Sequence, residues 1–397
     1  MIMLNFYLFL SISFLLIFLI GKLFEKIKVP WIFSALIIGF FLAIKNPFEA
    51  ITSSNTFNFL AQLGMYFLLF VIGLEVDVKE FKKLGKFIIK GTIFITLFST
   101  LFLIVLIYYF FHLSLFVSFV IALSFSTVGE AILIPILDEF KIVNTKLGQS
   151  IIGIGVLDDL FEIFTLILII PLIASPLKNS TGNILTILIS LTFLSLLAYG
   201  LRKFRKEEQR FNFKSIETLF LFTLFIFFLF LGVGEYADAL AIGALLAGLS
   251  IKTFVPPERL QAIESEIKTL CYGFFAPIFF LQIGISMDIN TLLSSPLLIL
   301  LIVIVSSLAK LIGSWLIGIK EMGVKQATLM GIGLSVRFST SLIIIRILYK
   351  NAVINVGLYS IIIASSIIFT FLIPIIFSIL AVKWKQDIIK EKKVAVV

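Results

Sequence analysis

The chain has 397 residues, of which 60% are hydrophobic and 14% are charged. Because soluble domains average about 45–50% apolar and about 25% charged residues, this composition excludes an ordinary soluble protein and predicts a polytopic membrane protein. The formal net charge of +9 does not indicate nucleic-acid binding, since the basic residues fall in short loops between apolar segments. The single cysteine, Cys271, excludes an internal disulfide and by itself builds no metal site.

Thirteen apolar segments approach the length of about 17–25 residues that an α-helix needs to cross a bilayer. The predicted fold is therefore an all-α polytopic membrane protein with about thirteen transmembrane helices. In chain order the segments are 3–21, 30–44, 57–75, 86–110, 114–137, 147–174, 183–201, 216–233, 237–251, 271–287, 295–319, 325–348 and 354–381.

The loops between these segments predict the orientation of the chain. With the N-terminus outside, 25 Lys and Arg residues fall in the inward loops and the tail, against only Lys45, Lys178 and Lys350 in the outward loops. Such an excess is the positive-inside signature of multi-pass proteins. We therefore expect a multi-pass protein of the inner (cytoplasmic) membrane, with its N-terminus outside, its C-terminus inside and a short basic cytoplasmic tail over 382–397.

An internal repeat connects the two halves of the sequence. Ile-Gly-Leu-Glu-Val-Asp at 72–77 recurs as Ile-Gly-Ile-Ser-Met-Asp at 283–288, and Ala-Leu-Ser at 122–124 recurs as Gly-Leu-Ser at 333–335. Both pairs are 211 residues apart, which maps the third segment onto the tenth and the fifth onto the twelfth. Because a shift of seven crossings is odd, the two copies face opposite ways. The pattern predicts the inverted-topology repeat of secondary transporters.

The fifth and twelfth segments are predicted to be interrupted helices. Ser124-Phe-Ser-Thr-Val-Gly-Glu-Ala in the fifth matches Gly331-Ile-Gly-Leu-Ser-Val-Arg-Phe-Ser-Thr-Ser in the twelfth, and each concentrates Ser, Thr and Gly around one charge. Interrupted segments at matched positions of two halves point to an ion site near the membrane midplane. The alternative is that the small residues serve close helix packing.

The sixth segment, 147–174, carries Asp158 and Asp159 side by side and Glu162 one turn later, in an otherwise apolar run. A carboxylate at hydrocarbon depth costs roughly 2.5–3.5 kcal/mol by insertion scales. With 3.6 residues per turn, the two aspartates project about 100° apart with Glu162 between them, so all three can address one cavity wall. Lys310, near the middle of the eleventh segment, is the expected partner of this acidic set, and snorkelling to an interface is the alternative.

Glu130 and Arg337 form a second set of opposite charges, one on each interrupted segment. We expect them to neutralise helix ends that face each other, because helix termini carry partial charges. Direct contact with a transported ion is the alternative.

Two related motifs stand out, one at 63–77 (Leu-Gly-Met-Tyr-Phe-Leu-Leu-Phe-Val-Ile-Gly-Leu-Glu-Val-Asp) and one at 277–288 (Pro-Ile-Phe-Phe-Leu-Gln-Ile-Gly-Ile-Ser-Met-Asp). Together with the Ser-Thr of the fifth segment, the Asp-Asp pair and Lys310, they resemble the monovalent cation:proton antiporter superfamily. Within it, the chain is similar over essentially its whole length to bacterial sodium/proton antiporters and to the membrane domain of Kef-type potassium/proton antiporters.

This resemblance implies a domain organisation within a transmembrane antiporter domain over 1–381. It implies a homodimer whose dimer part covers about 1–84 and 216–290. The mobile core part would cover about 85–175 and 291–381, with a linker helix at about 183–201. The two interrupted helices would cross at their unwound centres inside the core.

The resemblance also implies roles for individual residues. Asp159 would carry the ion or proton, Asp158 would pair with Lys310, and Ser126 and Thr127 would lie at the crossover. Transported Na⁺ would bind at Asp158, Asp159 and Thr127, and no cofactor is implied.

The chain departs from the pattern of this superfamily at three points. Kef-type systems carry Gln-Asp instead of Asp-Asp and end in a large nucleotide-binding domain. Since only about sixteen residues follow the last segment here, we expect no C-terminal nucleotide-binding domain. Where many relatives have Arg-Gly-Glu this chain reads Arg337-Phe-Ser, so Glu130 is a candidate for the missing carboxylate.

The sequence therefore predicts a secondary transporter, not an enzyme, that exchanges Na⁺ or Li⁺ for H⁺ by alternating access. Because burial disfavours the charged form of a carboxylate, a cation would bind at Asp159 only when the proton leaves. Exchange would be electrogenic if Lys310 also releases a proton. The alternatives that keep the same residues are K⁺/H⁺ exchange, electroneutral exchange and a cation channel. The expected partners are monovalent cations, protons, the lipid bilayer and a second copy of the chain, with no nucleic acid.

A membrane sensor and an intramembrane enzyme are weaker interpretations. A sensor would leave the buried Asp-Asp-Lys set without a purpose. Two adjacent aspartates on one helix do not face each other as the two acids of a catalytic dyad would.

Overall fold

The structure is a computed structural model that describes residues 5–27, 29–75, 85–174, 192, 196, 200, 215–236, 239–255, 257–337, 340–384 and 388. Within these ranges every regular element is a helix, which confirms the predicted all-α class.

The first half of the described chain contains eight helices. They are α1 (Phe6–Lys26), α2 (Phe33–Ile44), α3 (Glu49–Thr52), α4 (Asn55–Glu75), α5 (Lys86–Phe111), α6 (Leu115–Ser126), α7 (Glu130–Glu139) and α8 (Lys146–Ala174).

The second half repeats this organisation. It contains α9 (Ile216–Glu235), α10 (Leu240–Phe254), α11 (Pro257–Leu270), a π-helical turn (Cys271–Phe275), α12 (Ala276–Ile285), α13 (Ile289–Ser294), α14 (Pro296–Gly333), α15 (Thr340–Lys350) and α16 (Val356–Lys383). Inside α14, Gly323 has φ +76° and ψ 167°, a conformation that glycine adopts without steric cost. This residue divides α14 at a kink into two parts, 296–322 and 324–333.

Seven of the described helices are long and apolar enough to cross a membrane. They are α1, α4, α5, α9, the continuous helix Arg259–Ile285, α14 and α16. The helices α2, α6 and α10 are apolar but shorter. The helix α8 has 29 residues and carries the acidic set that the sequence analysis singled out.

Counting the two parts of α14 separately and joining helices across the two interruptions, the predicted segments in the described part match helical stretches to within about five residues, except at 271–287. There the helix begins at Pro257, so the predicted start of the tenth segment is wrong. The reason is that α11 is amphipathic and polar on average. A search for apolar runs therefore detects only the apolar part of the helix that follows α11. The predicted linker helix at 183–201 lies outside the described residues, apart from 192, 196 and 200.

The 211-residue offset found in the two short motifs also relates whole helices. It carries 86–111 onto 297–322, and the first part of α14 runs over 296–322. It carries 130–139 onto 341–350 and 146–174 onto 357–385, next to the observed α15 (Thr340–Lys350) and α16 (Val356–Lys383). Helices of the first half therefore match helices of the second half in length and in spacing along the chain, 211 residues apart.

The chain divides into two compact units, and the first comprises Met1–Leu19, Ile32–Val76 and Leu166–Ser286. In this unit α2 packs against α12, and α4 packs against α10. Both contacts depend on glycine: a Cβ atom on Gly39 would lie 2.2 Å from the carbonyl oxygen of Leu281, and one on Gly73 would lie 2.2 Å from that of Leu245. The offset maps Gly73 onto Gly284, which contacts Gly39, so the two contacts are copies of one arrangement.

The second unit comprises Ile20–Trp31, Asp77–Thr165 and Met287–Val397. In it α5 packs against α6 and α14, α14 packs against α16, and α15 packs against α6 and α16. Both interrupted helices and the buried charges that were predicted for the site lie in this unit.

Candidate functional site

The fifth predicted segment is an interrupted helix, as the sequence predicted. The helix α6 ends at Ser126, Thr127 is extended with φ −70° and ψ 161°, and α7 begins at Glu130. The hydroxyl of Ser126 donates to the carbonyl oxygen of Ala122 at 2.7 Å, and the hydroxyl of Thr127 donates to that of Ser124 at 2.8 Å. Both buried hydroxyls thus satisfy carbonyl groups of their own helix end.

The twelfth segment is interrupted at the corresponding place. The second part of α14 ends at Gly333, and α15 begins at Thr340. The backbone N–H of Gly129, in the first break, donates to the carbonyl oxygen of Val336, in the second break, at 3.0 Å. The two breaks are therefore in direct contact.

Arg337 joins the carboxyl ends of the two half-helices. Its Nη1 donates to the carbonyl oxygen of Thr127 at 2.7 Å and to that of Leu334 at 3.3 Å, while Nη2 donates to the hydroxyl of Ser306 at 2.8 Å. Thr127 and Leu334 are the residues that cap α6 and α14. Because helix C-termini carry partial negative charge, the guanidinium neutralises both ends at once. The predicted role of Arg337 in neutralising helix ends remains a prediction, and these two hydrogen bonds support it.

The guanidinium of Arg337 also lies over two aromatic rings. Its carbon lies 5.4 Å from the ring centre of Phe125 and 5.3 Å from that of Phe369. Both distances fall within the range of a cation–π interaction. Arg337 is fully buried, so these rings replace the water that would otherwise solvate its charge.

Asp158 and Lys310 lie opposite each other, and both side chains are 0% exposed. The distance from Nζ of Lys310 to Oδ2 of Asp158 is 3.8 Å, which allows an ion pair but exceeds hydrogen-bond length. Neither of these two atoms has a hydrogen-bond partner in the described part of the chain. The ammonium of Lys310 and the carboxylate of Asp158 attract each other electrostatically, but no hydrogen bond joins Nζ to Oδ2.

The other carboxylate oxygen of Asp158 is held by Thr96. The Thr96 hydroxyl, on α5, donates to Oδ1 at 2.7 Å. Three helices thus position this carboxylate: α8 carries it, α5 supplies a hydrogen bond and α14 supplies the opposing charge.

Two of the predicted acids are less completely described. Asp159 lies on α8 next to Asp158, and Glu130 begins α7, but both side chains lie outside the described part. Glu162 is buried one turn after Asp158 on the same helix. The roles predicted for these three residues remain predictions.

The structure adds residues that the sequence analysis did not single out. They are Thr96, Ser306, Phe125 and Phe369, each of which contacts Asp158 or Arg337. The available signal for Thr96 was a run of hydroxyl residues at helical spacing in an apolar segment, which predicts a polar stripe but not its partner.

Comparison with known proteins identifies the family. The family model for the sodium/hydrogen exchanger transmembrane region matches residues 12–383. The chain is 28% identical over 377 residues to the probable Na⁺/H⁺ antiporter 3 of Methanocaldococcus jannaschii, covering 91% of this chain and 93% of that protein. It is 27% identical over 299 residues to the K⁺/H⁺ antiporter subunit KhtU of Bacillus subtilis, covering 72% of this chain and 70% of that protein.

A solved structure has a similar fold. The sodium proton antiporter MjNhaP1 of Methanocaldococcus jannaschii superposes with a TM-score of 0.58 at 17% identity, covering 95% of this chain and 96% of that chain. The match extends over nearly all of both chains, and the family model covers most of this one. The chain therefore belongs to the sodium/hydrogen exchanger transmembrane family.

Proposed function

We propose that this protein exchanges a monovalent cation, Na⁺ or Li⁺, for H⁺ across the cytoplasmic membrane, with Asp158 and Asp159 as the shared cation and proton site. Membership of the family and the Na⁺/H⁺ antiporter among its relatives support cation/proton exchange. The observation that carries the proposal is the fully buried Asp158–Lys310 pair, which lies in the same unit as two helices interrupted at matching positions.

The geometry of the pair favours a transport role over a purely structural one. A buried ion pair stabilises a protein only when close contact and hydrogen bonds compensate for the lost hydration of both charges. At 3.8 Å, with no hydrogen bond between Nζ and Oδ2, this compensation is incomplete. Separating an ion pair that lacks a hydrogen bond takes less free energy than separating a hydrogen-bonded one. This suits a carboxylate that must accept a cation in place of the ammonium.

The positions of the charges also favour the acids of α8 as the cation site. Interrupted helices can bind cations through the free carbonyl groups at their C-terminal ends. Here the guanidinium of Arg337 already occupies the C-terminal carbonyls of both Thr127 and Leu334. A second cation at the same carbonyls would meet this charge at short range, whereas the carboxylates of α8 offer full negative charge.

The same pair supplies a route to electrogenic exchange. When a cation takes the carboxylate of Asp158, the ammonium of Lys310 loses its counter-charge in a fully buried site. An unpaired charge is disfavoured there, so Lys310 releases its proton. With a second proton from Asp159, two protons exchange for one cation. In the rival scheme the pair is structural and Asp159 alone exchanges one proton for one cation.

We further propose a homodimer that works by alternating access. We assign subunit contact to about 1–84 and 216–290, and the moving part to about 85–175 and 291–381. The close glycine contacts of α2 with α12 and α4 with α10 support a rigid role for the first of these parts. We also retain the predicted inverted repeat of thirteen spans, which the matching helix bounds support.

Purified protein in liposomes with a trapped pH dye tests the exchange. We expect external Na⁺ or Li⁺ to drive proton movement in the wild type and in Asp138→Asn, which alters an exposed acid on α7. Asp159→Asn should show none, because an amide neither releases a proton nor offers full negative charge. Robust exchange by Asp159→Asn at every pH would refute the assignment of Asp159.

The same assay separates the alternatives. The relative named as a K⁺/H⁺ antiporter subunit makes potassium the second candidate cation. Proton movement with K⁺ and Rb⁺ but not with Na⁺ and Li⁺ would replace sodium by potassium as substrate. Cation uptake without any coupled proton movement would indicate a channel.

A further inference from the structure

One hydroxyl on α5 departs from the pattern of its neighbours. The Ser and Thr residues of this helix are Thr92, Thr96, Ser99 and Thr100, and all four are buried. Three of them donate to the carbonyl oxygen four residues earlier on α5, at 2.9 Å for Thr92 and 2.7 Å for both Ser99 and Thr100. Thr96 instead donates to Oδ1 of Asp158 on α8.

This departure matters because the bond within the helix is the default for a buried hydroxyl. A Ser or Thr in an apolar helix can satisfy its hydrogen by bonding back to the carbonyl four residues earlier. Thr96 forgoes that bond for a charge-assisted one at 2.7 Å. Hydrogen bonds to a charged group are roughly twice as strong as neutral ones.

The bond also determines the orientation of the carboxylate. With Oδ1 held by Thr96, Oδ2 faces Lys310 at 3.8 Å and has no hydrogen-bond partner in the described residues. If Asp158 were released from Thr96, its carboxylate would be free to turn both oxygens toward Lys310. The bond from Thr96 therefore keeps Asp158 and Lys310 from forming a hydrogen-bonded ion pair.

We propose that Thr96 is a positioning residue for ion exchange, which holds Asp158 oriented so that a transported cation can replace Lys310. The inference rests on the proposed function and deepens it by naming a residue that acts through Asp158. It concerns a neutral side chain that does not itself exchange a proton.

The charged groups around Asp158 determine the direction of the effect. Lys310 faces it from α14, Arg337 bears on it from the second break, and Asp159 and Glu162 share its own helix. Thr96 is the neutral donor from α5. Removing that donor takes away a hydrogen bond to the charged carboxylate and permits a tighter pair with Lys310. Both changes hinder cation entry most at low pH, where protons compete best.

The test compares Thr96→Val with Thr96→Ser and Thr92→Val in the liposome assay. Valine preserves the shape of threonine without the hydroxyl, and Thr92→Val removes an equally buried hydroxyl one turn away. We expect Thr96→Val to move the pH midpoint of exchange toward alkaline values by about one unit, or to raise the cation KM roughly tenfold at neutral pH. Its rate at alkaline pH should approach that of the wild type. Thr96→Ser and Thr92→Val should match the wild type.

A packing defect would give a different result. It would lower the rate at all pH values and leave the midpoint in place, which would overturn the proposal. Thr96→Cys, with a weak thiol donor of similar size, should shift the midpoint in the same direction by a smaller amount. If Thr96→Val and Thr96→Cys both keep the wild-type midpoint while the wild type exchanges normally, the Thr96 inference fails and the proposed function stands. Absence of exchange by the wild type refutes both.

Discussion

The backbone N–H of Gly129 donates to the carbonyl oxygen of Val336 at 3.0 Å, and this bond joins the two interrupted helices at their breaks. The two residues are far apart in sequence but occupy the two copies of the internal repeat. The guanidinium of Arg337 reinforces the same junction, since it binds the carbonyl of Thr127 on one side and that of Leu334 on the other. The unwound segments are therefore held by specific bonds and not merely by apolar packing.

Arg337 should be essential for the stability of this junction. Each of its bonds joins a charged donor to a buried acceptor, and such bonds contribute about 1.5–3 kcal/mol apiece. Arg337→Met should therefore lower the thermal midpoint in detergent strongly. Arg337→Lys should recover only part of the loss, because an ammonium lacks the planar fork that binds several acceptors. Lys320→Met, which alters an exposed residue of α14, is the control and should melt like the wild type. Equal melting of Arg337→Met and the control would contradict the role in helix capping.

Gly73 should tolerate no side chain. A Cβ atom there would lie 2.2 Å from the carbonyl oxygen of Leu245, and backbone cannot yield as a flexible side chain does. Gly73→Ala should therefore lower the thermal midpoint and the yield of folded protein. Gly232→Ala on α9 is the matched control, since nothing lies within 4 Å of a Cβ atom at that position. This control should be neutral or slightly more stable, because replacing a helical glycine by alanine gains about 0.5–1 kcal/mol. A Gly73→Ala protein as stable as Gly232→Ala would show that α4 and α10 are not so closely packed.

Lys310 should determine whether exchange moves net charge. We expect the exchange rate of the wild type in liposomes to respond to an imposed membrane potential. Lys310→Gln, if it still exchanges, should not respond, since only Asp159 would then release a proton. Melting temperature cannot separate the two schemes, because removing one partner of a buried pair costs about 3–5 kcal/mol in either. An electroneutral wild type would refute the two-proton scheme and leave Lys310 as a structural residue.

The predicted orientation can be tested independently of the ion site. Single cysteines at Lys206, Lys390 and Asn179 would be introduced into a Cys271→Ser background. The first two should react with a membrane-impermeant thiol reagent only from the cytoplasmic side, and the third only from outside. The physical basis is the excess of basic residues in the loops predicted to face inward. Labelling of positions 206 and 179 from the same side would contradict both the span count and the inverted repeat.

The positions of the helices and of their interruptions could be predicted from the sequence, because local composition determines them. Apolar runs of sufficient length predict helices regardless of what surrounds them. The Ser, Thr and Gly residues around 124–131 and 331–341 likewise predicted the two breaks at the places where α6 and α14 end. The same method failed at Pro257, because the helix α11 is polar on one side and depends on packing rather than on hydropathy.

The partners of the charges were only partly predictable. A lone lysine and an aspartate pair in apolar segments predict that Lys310 lies near Asp158, since each charge costs too much without the other. The bond from Thr96 was not predictable, because a threonine hydroxyl in a helix has its own backbone as an equally available partner. The tertiary structure alone decides that Thr96 bonds to Asp158, and that Arg337 reaches the carbonyls of Thr127 and Leu334. Both sets of hydrogen-bond partners depend on which helix faces are brought together, and the packing of helices that are far apart in sequence determines this.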